Sequence, residues 1–115
     1  MSTDCVFCKI VKGDGPATII RFWDDAIAIV PLNPVVEGHV VVLPKTHVTD
    51  AAEDEDVTGA TMRRTAELAR ERYDQFNIIT SAGPAATQTV FHLHVHIVPR
   101  YTDDGLALPW TGQQK

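Results

Sequence analysis

Short apolar runs bounded by turn-forming residues fill most of the chain, and one stretch of helical periodicity interrupts them. Residues 18–23, Thr-Ile-Ile-Arg-Phe-Trp, are β-branched and aromatic and predict a first strand. Asp24-Asp25 is the turn of a hairpin, and the Ala/Ile/Val run at 26–30 is its second strand. Two prolines in Pro31-Leu32-Asn33-Pro34 end that strand, because proline donates no ladder hydrogen bond. Residues 38–43 form an unbroken apolar run that predicts a third strand, buried on both faces and closed by Pro44. Met62, Ala66, Ala69 and Tyr73 then recur at helical spacing, which predicts a helix over 54–73 with an Ala-rich stripe. Asp50, Glu53, Asp54, Glu55 and Asp56 precede Arg63, Arg64, Arg70 and Arg72, an order that suits the helix dipole. Strands are predicted again at 77–80 and 90–98, separated by a loop that Gly83-Pro84 opens, and residues 101–115 read as an irregular tail carrying Trp110.

With one long helix among five strands, a regular parallel sheet is excluded, since each parallel crossover needs its own connection. The pattern predicts an antiparallel α+β domain over 1–115. A length of 115 residues fits one domain with a real core. The net charge of −5, from 10 Lys plus Arg against 15 Asp plus Glu, argues against a nucleic-acid footprint. No stretch approaches the length of an uncharged membrane span, and the opening Met1-Ser-Thr-Asp-Cys5 lacks the form of a secretion signal. A cytoplasmic protein with no membrane contact is therefore expected. Leu108-Pro109-Trp110-Thr111-Gly112 has the form of a cell-wall sorting signal, but the apolar stretch and basic tail such signals need do not follow.

The chemistry concentrates in His92-Leu93-His94-Val95-His96-Ile97-Val98. Strand alternation puts Leu93, Val95 and Ile97 on one face and three imidazoles on the other, about 6.8 Å apart along the strand. Clustered titratable groups of this kind mark sites. Two chemistries fit: alternate histidines can bind zinc, or one imidazole can attack phosphorus and carry the phosphoryl group covalently. A nucleophilic imidazole must keep one nitrogen free while the other donates to a fixed acceptor. The flanking donors would stabilise phosphate charge.

His-x-His-x-His followed by two apolar residues resembles the signature of the histidine triad superfamily of nucleotide hydrolases and transferases. The loop Gly83-Pro84-Ala85-Ala86-Thr87-Gln88-Thr89-Val90 is similar to that family's substrate-phosphate loop, and Gly38-His39-Val-Val-Val-Leu-Pro44 is similar to its Gly-His strand. The resemblance runs from about residue 5 to 100. It implies a five-stranded antiparallel sheet with one long helix and a short N-terminal helix, paired as a homodimer with the long helix at the interface. It implies cleavage at the α-phosphate of a nucleoside phosphoramidate or dinucleoside polyphosphate, with His94 the transiently nucleotidylated nucleophile. His96 would contact the phosphate and assist the leaving group, and His39 would support the site. Gln88 and Thr89 would hold phosphate oxygens, and Val6, Phe7, Ile29 and Leu32 would form the base pocket. Three positions depart from the family pattern. Pro31 stands where an acidic or amide side chain usually holds the ribose, so Asn33 becomes the candidate replacement. Ser81 is shorter than the usual amide, and Thr87 replaces a usual glycine.

Cys5-Val6-Phe7-Cys8 is a C-x-x-C motif holding the only two cysteines of the chain. A disulfide is disfavoured without a secretion signal, and a redox pair is normally preceded by a strand. A zinc half-site needs two further ligands. Cys5, Cys8, His47 and His92 would close a tetrahedral structural site with no position left for water. These four positions also resemble the ligands of the family's zinc-containing branch. Two reduced, buried thiols are the plain alternative. Two functional readings compete with nucleotidyl transfer. One is a non-catalytic nucleotide-binding or adaptor protein, motivated by Pro31 and Ser81. The other is a mononuclear zinc hydrolase using the strand histidines.

Overall fold

The computed structural model describes residues 5–108. Trp110 and the rest of the tail beyond 108 lie outside them. Two helices and five strands follow one another as α1 (Val6–Lys12), β1 (Thr18–Phe22), β2 (Ala26–Val30), β3 (Val40–Pro44), α2 (Glu55–Arg72), β4 (Phe76–Ile79) and β5 (Val95–Pro99). The strands form one sheet in the order β1-β2-β3-β5-β4, every neighbouring pair antiparallel. The expected α+β architecture is present, short N-terminal helix included.

Local chemistry sets the helix ends. The Cys5 sulfur accepts the Cys8 N–H at 3.3 Å and caps α1, and Gly13, at φ +87°, closes it in a left-handed turn. Asp54 caps α2 by accepting the N–H groups of Asp56 and Val57 at 2.9 and 3.2 Å. Glu55 and Asp56 in its first turn and Arg70 and Arg72 in its last complement the helix dipole.

The buried face of α2 differs from the expected stripe. Thr61, Thr65, Leu68 and Ala69 are buried, whereas Ala66 is exposed. Each buried threonine returns its hydroxyl to a carbonyl four residues earlier, Thr61 to Val57 and Thr65 to Thr61, both at 2.8 Å. Their polarity is thus satisfied within the helix and their methyl groups pack like apolar side chains.

Both faces of β3 are buried, as its continuous apolar run predicts. Val40 and Val42 pack with Leu68, Ala69 and Ile97 beneath α2. Val41 and Leu43 pack with Ile10, Ile27 and Ile29 beneath α1. His96 pairs in register with Val41 on one side and Ile79 on the other, so it belongs to the α1 face of the sheet. The short α1 covers the β2–β3 half of that face and leaves the β5–β4 half open for a site. At the start of β3, Gly38 holds φ +96°, and a Cβ there would come within 3.2 Å of the Pro99 ring. The Tyr73 hydroxyl donates to the Gly38 carbonyl at 2.6 Å, so α2, β3 and β5 converge at this glycine.

The last strand starts later than expected. β5 begins at Val95, not at residue 90, so His92 and His94 precede the ladder. The cause is the Leu93 N–H, which donates at 2.8 Å to Val48 in the β3–α2 connection and not to a strand.

Candidate active site and metal centre

Four donors from three separate segments meet beyond the paired ends of β3 and β5. Cys5 and Cys8 come from the first turn of α1, His47 from the segment after β3, and His92 from the approach to β5. Their ligand atoms all lie within 4.8 Å of one another. His92 Nδ1 is 3.5 Å from the Cys5 sulfur, 3.6 Å from the Cys8 sulfur and 3.1 Å from His47 Nδ1. Cys8 and His47 are 3.2 Å apart. A tetrahedron with zinc–sulfur bonds near 2.3 Å and zinc–nitrogen bonds near 2.05 Å has edges of roughly 3.3–3.8 Å, so the donors fit zinc closely. His92 is fully buried and its Nε2–H donates to the Pro44 carbonyl at 2.8 Å, which turns the Nδ1 lone pair toward the cluster. Burial also lowers its pKa, which favours the neutral form a metal needs. Both cysteines are free thiols. Cys5, Cys8, His47 and His92 are a Cys2His2 site for one zinc ion, and four protein ligands leave it structural.

The other two triad histidines are not members of this cluster. Among the described residues the metal-binding group takes only His92 from the triad, so the three histidines do not converge on a common ion. His94 Nδ1 donates to the His92 carbonyl at 2.8 Å. That bond places the ring proton on Nδ1 and leaves Nε2 as an unprotonated lone pair. The Thr80 hydroxyl, donating at 2.8 Å to the His94 carbonyl, fixes the backbone beneath it. Phe7 sets its edge against His94 at 5.0 Å between ring centres and against His92 at 5.9 Å. The C-x-x-C turn thus touches both the metal ligand and the candidate nucleophile.

His39 and His96 form a polarised pair. The backbone N–H of Val35 donates to His39 Nδ1 at 3.1 Å, so that nitrogen must be the acceptor. Neutral His39 then carries its proton on Nε2, which lies 2.9 Å from His96 Nδ1 and donates to it. His96 in turn keeps its own proton on Nε2. One backbone N–H therefore orients two imidazoles and leaves His96 as a hydrogen-bond donor beside His94, whose ring centre is 5.2 Å away. Burial lowers the His39 pKa. It pushes His96 down to about 4, helped by the neighbouring His94 and His39 rings.

Stability should fall on acidification for this reason. Below the ordinary histidine value of about 6.5 the unfolded chain binds a proton that folded His96 refuses until about pH 4. The stabilisation is complete above 6.5 and is lost progressively as the pH falls through that window. After discounting for partial exposure, His96 contributes on the order of 1–2 kcal/mol, or several degrees in melting temperature. Thermal melts from about pH 7.5 to 4.5 should show this slope, and His96→Asn should make it shallower, with the part due to buried His39 and His92 remaining. Equal slopes in the two proteins would refute the assignment.

His39, His94 and His96 open into a cavity of about 280 Å³ whose other walls include Val35, Ile79, Ser81, Val98 and Leu106. Thr87 and Gln88 of the preceding loop also line it. Gln88 is buried, and its amide braces that loop. It donates to Thr49 and Val90 carbonyls at 2.7 and 3.0 Å and accepts the Gly83 N–H at 2.8 Å. Both of its N–H groups are engaged there, so contrary to expectation none is left for a phosphate oxygen. Thr89 is exposed at the loop end. Thr87 adopts φ +72°. The left-handed turn that usually takes glycine is thus kept with a threonine, at a backbone cost of about 1 kcal/mol.

The residues expected around the base are spread differently. Ile29 is buried beneath α1, Val6 is 44% exposed and Leu32 is 95% exposed. Asn33 is also exposed. None of these four, nor Phe7, lines the triad cavity. Asn77, Arg100 and the segment 106–108, which do line it, escape sequence reasoning because no periodicity or motif brings them there.

A family model described as the HIT domain matches residues 12–103. An uncharacterized HIT-like protein of Methanocaldococcus jannaschii is 35% identical over 106 residues, covering 88% of this chain and 82% of that one. An adenosine 5'-monophosphoramidase of Schizosaccharomyces pombe is 34% identical over 112 residues, covering 92% and 82%. The crystal structure of a zinc-bound histidine triad family protein from Mycobacterium smegmatis superposes with a TM-score of 0.81 at 40% identity, covering 93% of this chain and 82% of that one.

Proposed function

This chain belongs to the histidine triad (HIT domain) family, and from that membership and the site's geometry we propose that it is a nucleotide hydrolase or transferase working through a covalent nucleotidyl-His94. The substrates are nucleoside phosphoramidates or dinucleoside polyphosphates, cleaved at the α-phosphate. The observation that carries this reading is the 2.8 Å bond from His94 Nδ1 to the His92 carbonyl, which frees Nε2 beside the His96 donor. His94 Nε2 attacks the α-phosphorus, and the bond to the leaving group breaks with its electron pair going to the departing atom; a phosphoramidate nitrogen takes a proton from solvent and leaves as the neutral amine, while a polyphosphate leaves as the anion. His96 Nε2–H hydrogen-bonds to the phosphoryl group as charge builds on it. Water or another acceptor then attacks the nucleotidyl-histidine and returns free His94.

A bound zinc supplies no step of this reaction; its four protein ligands hold the C-x-x-C turn against the approach to β5. The named phosphoramidase activity of the fission-yeast relative and the bound zinc of the mycobacterial one support both halves of the reading. Thiol ligands are stable in a reducing compartment, which favours the cytoplasm, and no helix of the described residues is long and apolar enough to cross a membrane. Steady-state assays with adenosine 5'-phosphoramidate and diadenosine polyphosphates test the proposal directly. Saturable release of AMP is expected, and tight AMP binding with no turnover of either class would replace this reading with the adaptor one.

A homodimer completes the proposal. β4 is an edge strand carrying a 37% exposed Ile79, so its unpaired backbone can extend the sheet into a second copy. Size-exclusion chromatography with light scattering at micromolar concentration should give twice the chain mass. A monomer would refute this.

A further inference from the structure

A dense polar clasp sits just past β5, and the phosphoryl chemistry makes no use of it. The Arg100 guanidinium holds the Asp104 carboxylate with two bonds, Nε at 2.8 Å and NH2 at 3.0 Å. The same guanidinium reaches the Asn77 amide oxygen at 2.6 Å and the Leu106 carbonyl at 3.0 Å. Asp104 accepts the backbone N–H groups of Tyr101 and Leu106, both at 3.0 Å. Its side chain is only 8% exposed, and Arg100 with those N–H groups holds its pKa well below the usual carboxylate range. Asp103 and Gly105 flank it with φ +63° and +77°, a pair of left-handed residues that turns the chain back. After the turn, Leu106, Ala107 and Leu108 line the same cavity as His94 and His96.

We infer that Asp104, acting through Arg100, is a positioning residue that seats residues 106–108 as a wall of the triad cavity and so sets its fit to the leaving group. The inference rests on the nucleotidyl-transfer reading. In-line displacement puts the nucleophile and leaving group on opposite sides of phosphorus. The residues assigned to the base lie outside the cavity, so its volume is open to the departing group. Val35, Ile79, Val98, Leu106 and Leu108 give its lining an apolar part beside the polar histidine and loop residues. Among the described residues lining it, the one charged side chain, Arg100, is already matched by Asp104. Such walls suit a departing amine with an apolar body, and among the described residues they leave no unpaired cation to neutralise a polyphosphate.

The test compares wild type, Asp104→Ala and Asp104→Asn on two probes, adenosine 5'-phosphoramidate and its N-arylethyl derivative. For the arylethyl probe, KM should rise about tenfold in Asp104→Ala with kcat within about twofold, and by less in Asp104→Asn, which keeps one acceptor. For the bare phosphoramidate, KM should hardly move. A purely structural role would change both probes alike, and that result, or no change at all, would overturn the inference. Chymotrypsin cleavage of the native proteins after Leu106 reports the seating without any turnover. It should accelerate about tenfold in Asp104→Ala, because loosened segments are cut through local opening. Unchanged cleavage would overturn the clasp. If wild type turns over neither probe, the proposed function fails, and the cleavage pattern still decides whether Asp104 seats the segment. Should Asp104→Ala fail to fold, Asp104→Asn carries both readouts.

Discussion

His94→Asn should lower kcat with adenosine 5'-phosphoramidate by about 10³- to 10⁴-fold while leaving AMP binding within a few-fold of wild type. Asparagine can keep the hydrogen bond to the His92 carbonyl, now made at 2.8 Å by His94 Nδ1, because its amide still offers an N–H. What it loses is the lone pair on Nε2, the one atom required to form the nitrogen–phosphorus bond. His39, His96 and the cavity walls are untouched, so phosphate binding and thermal stability should persist. Steady-state kinetics beside calorimetric titration with AMP separates the two effects. Undiminished turnover in a folded variant would remove His94 as the nucleophile.

The double substitution Cys5→Ser, Cys8→Ser should abolish zinc binding and lower the melting temperature by on the order of ten degrees or more. Structural zinc in small peptides contributes about 10–16 kcal/mol of apparent binding energy. Here the sheet has its own core, so only part of that energy is felt in global unfolding. The effect should concentrate at the N-terminus, because the metal ties α1 to His47 and His92, and α1 is otherwise held by its own Phe7, Ile10 and Val11 packed on β2 and β3. Loosening α1 also withdraws Phe7 from the His94 ring, now 5.0 Å away. A kcat loss much smaller than that of His94→Asn should therefore accompany the loss of metal. Elemental analysis and a thermal melt check this together. Full zinc occupancy with an unchanged melt would contradict the Cys2His2 assignment.

The chemistry of this chain was more legible than its geometry. Two cysteines three residues apart and three alternating histidines are rare residue types at meaningful spacing, and the structure joins the Cys pair to His47 and His92, the two further ligands the half-site needed. The hairpin β1–β2 was legible because turn residues interrupt two β-branched runs. The start of β5 was not. Alternation continues from 92 to 98, yet a bond from Leu93 to Val48 diverts the first residues from the ladder, and that partner lies 45 positions away in the chain. The buried face of α2 was misjudged because Thr61 and Thr65 hide their hydroxyls in the helix itself. Gln88, which the family resemblance assigns to phosphate, closes its own loop with its side chain in the fold, a partnership invisible in sequence. The Arg100–Asp104 clasp was missed because it depends on two left-handed residues and on Asn77 from a neighbouring strand.

The central claim is a covalent bond between His94 and the nucleotide. It is tested most directly by quenching the enzyme during turnover of adenosine 5'-phosphoramidate and measuring the intact protein by mass spectrometry. His96→Ala, which removes the donor beside His94, serves as a second enzyme if the wild-type intermediate is too short-lived. The account predicts a mass increase of one adenylyl group that fragmentation places on His94, and that is absent from His94→Asn. Steady turnover with no adduct under single-turnover quenching in either enzyme, or an adduct on another residue, would contradict it.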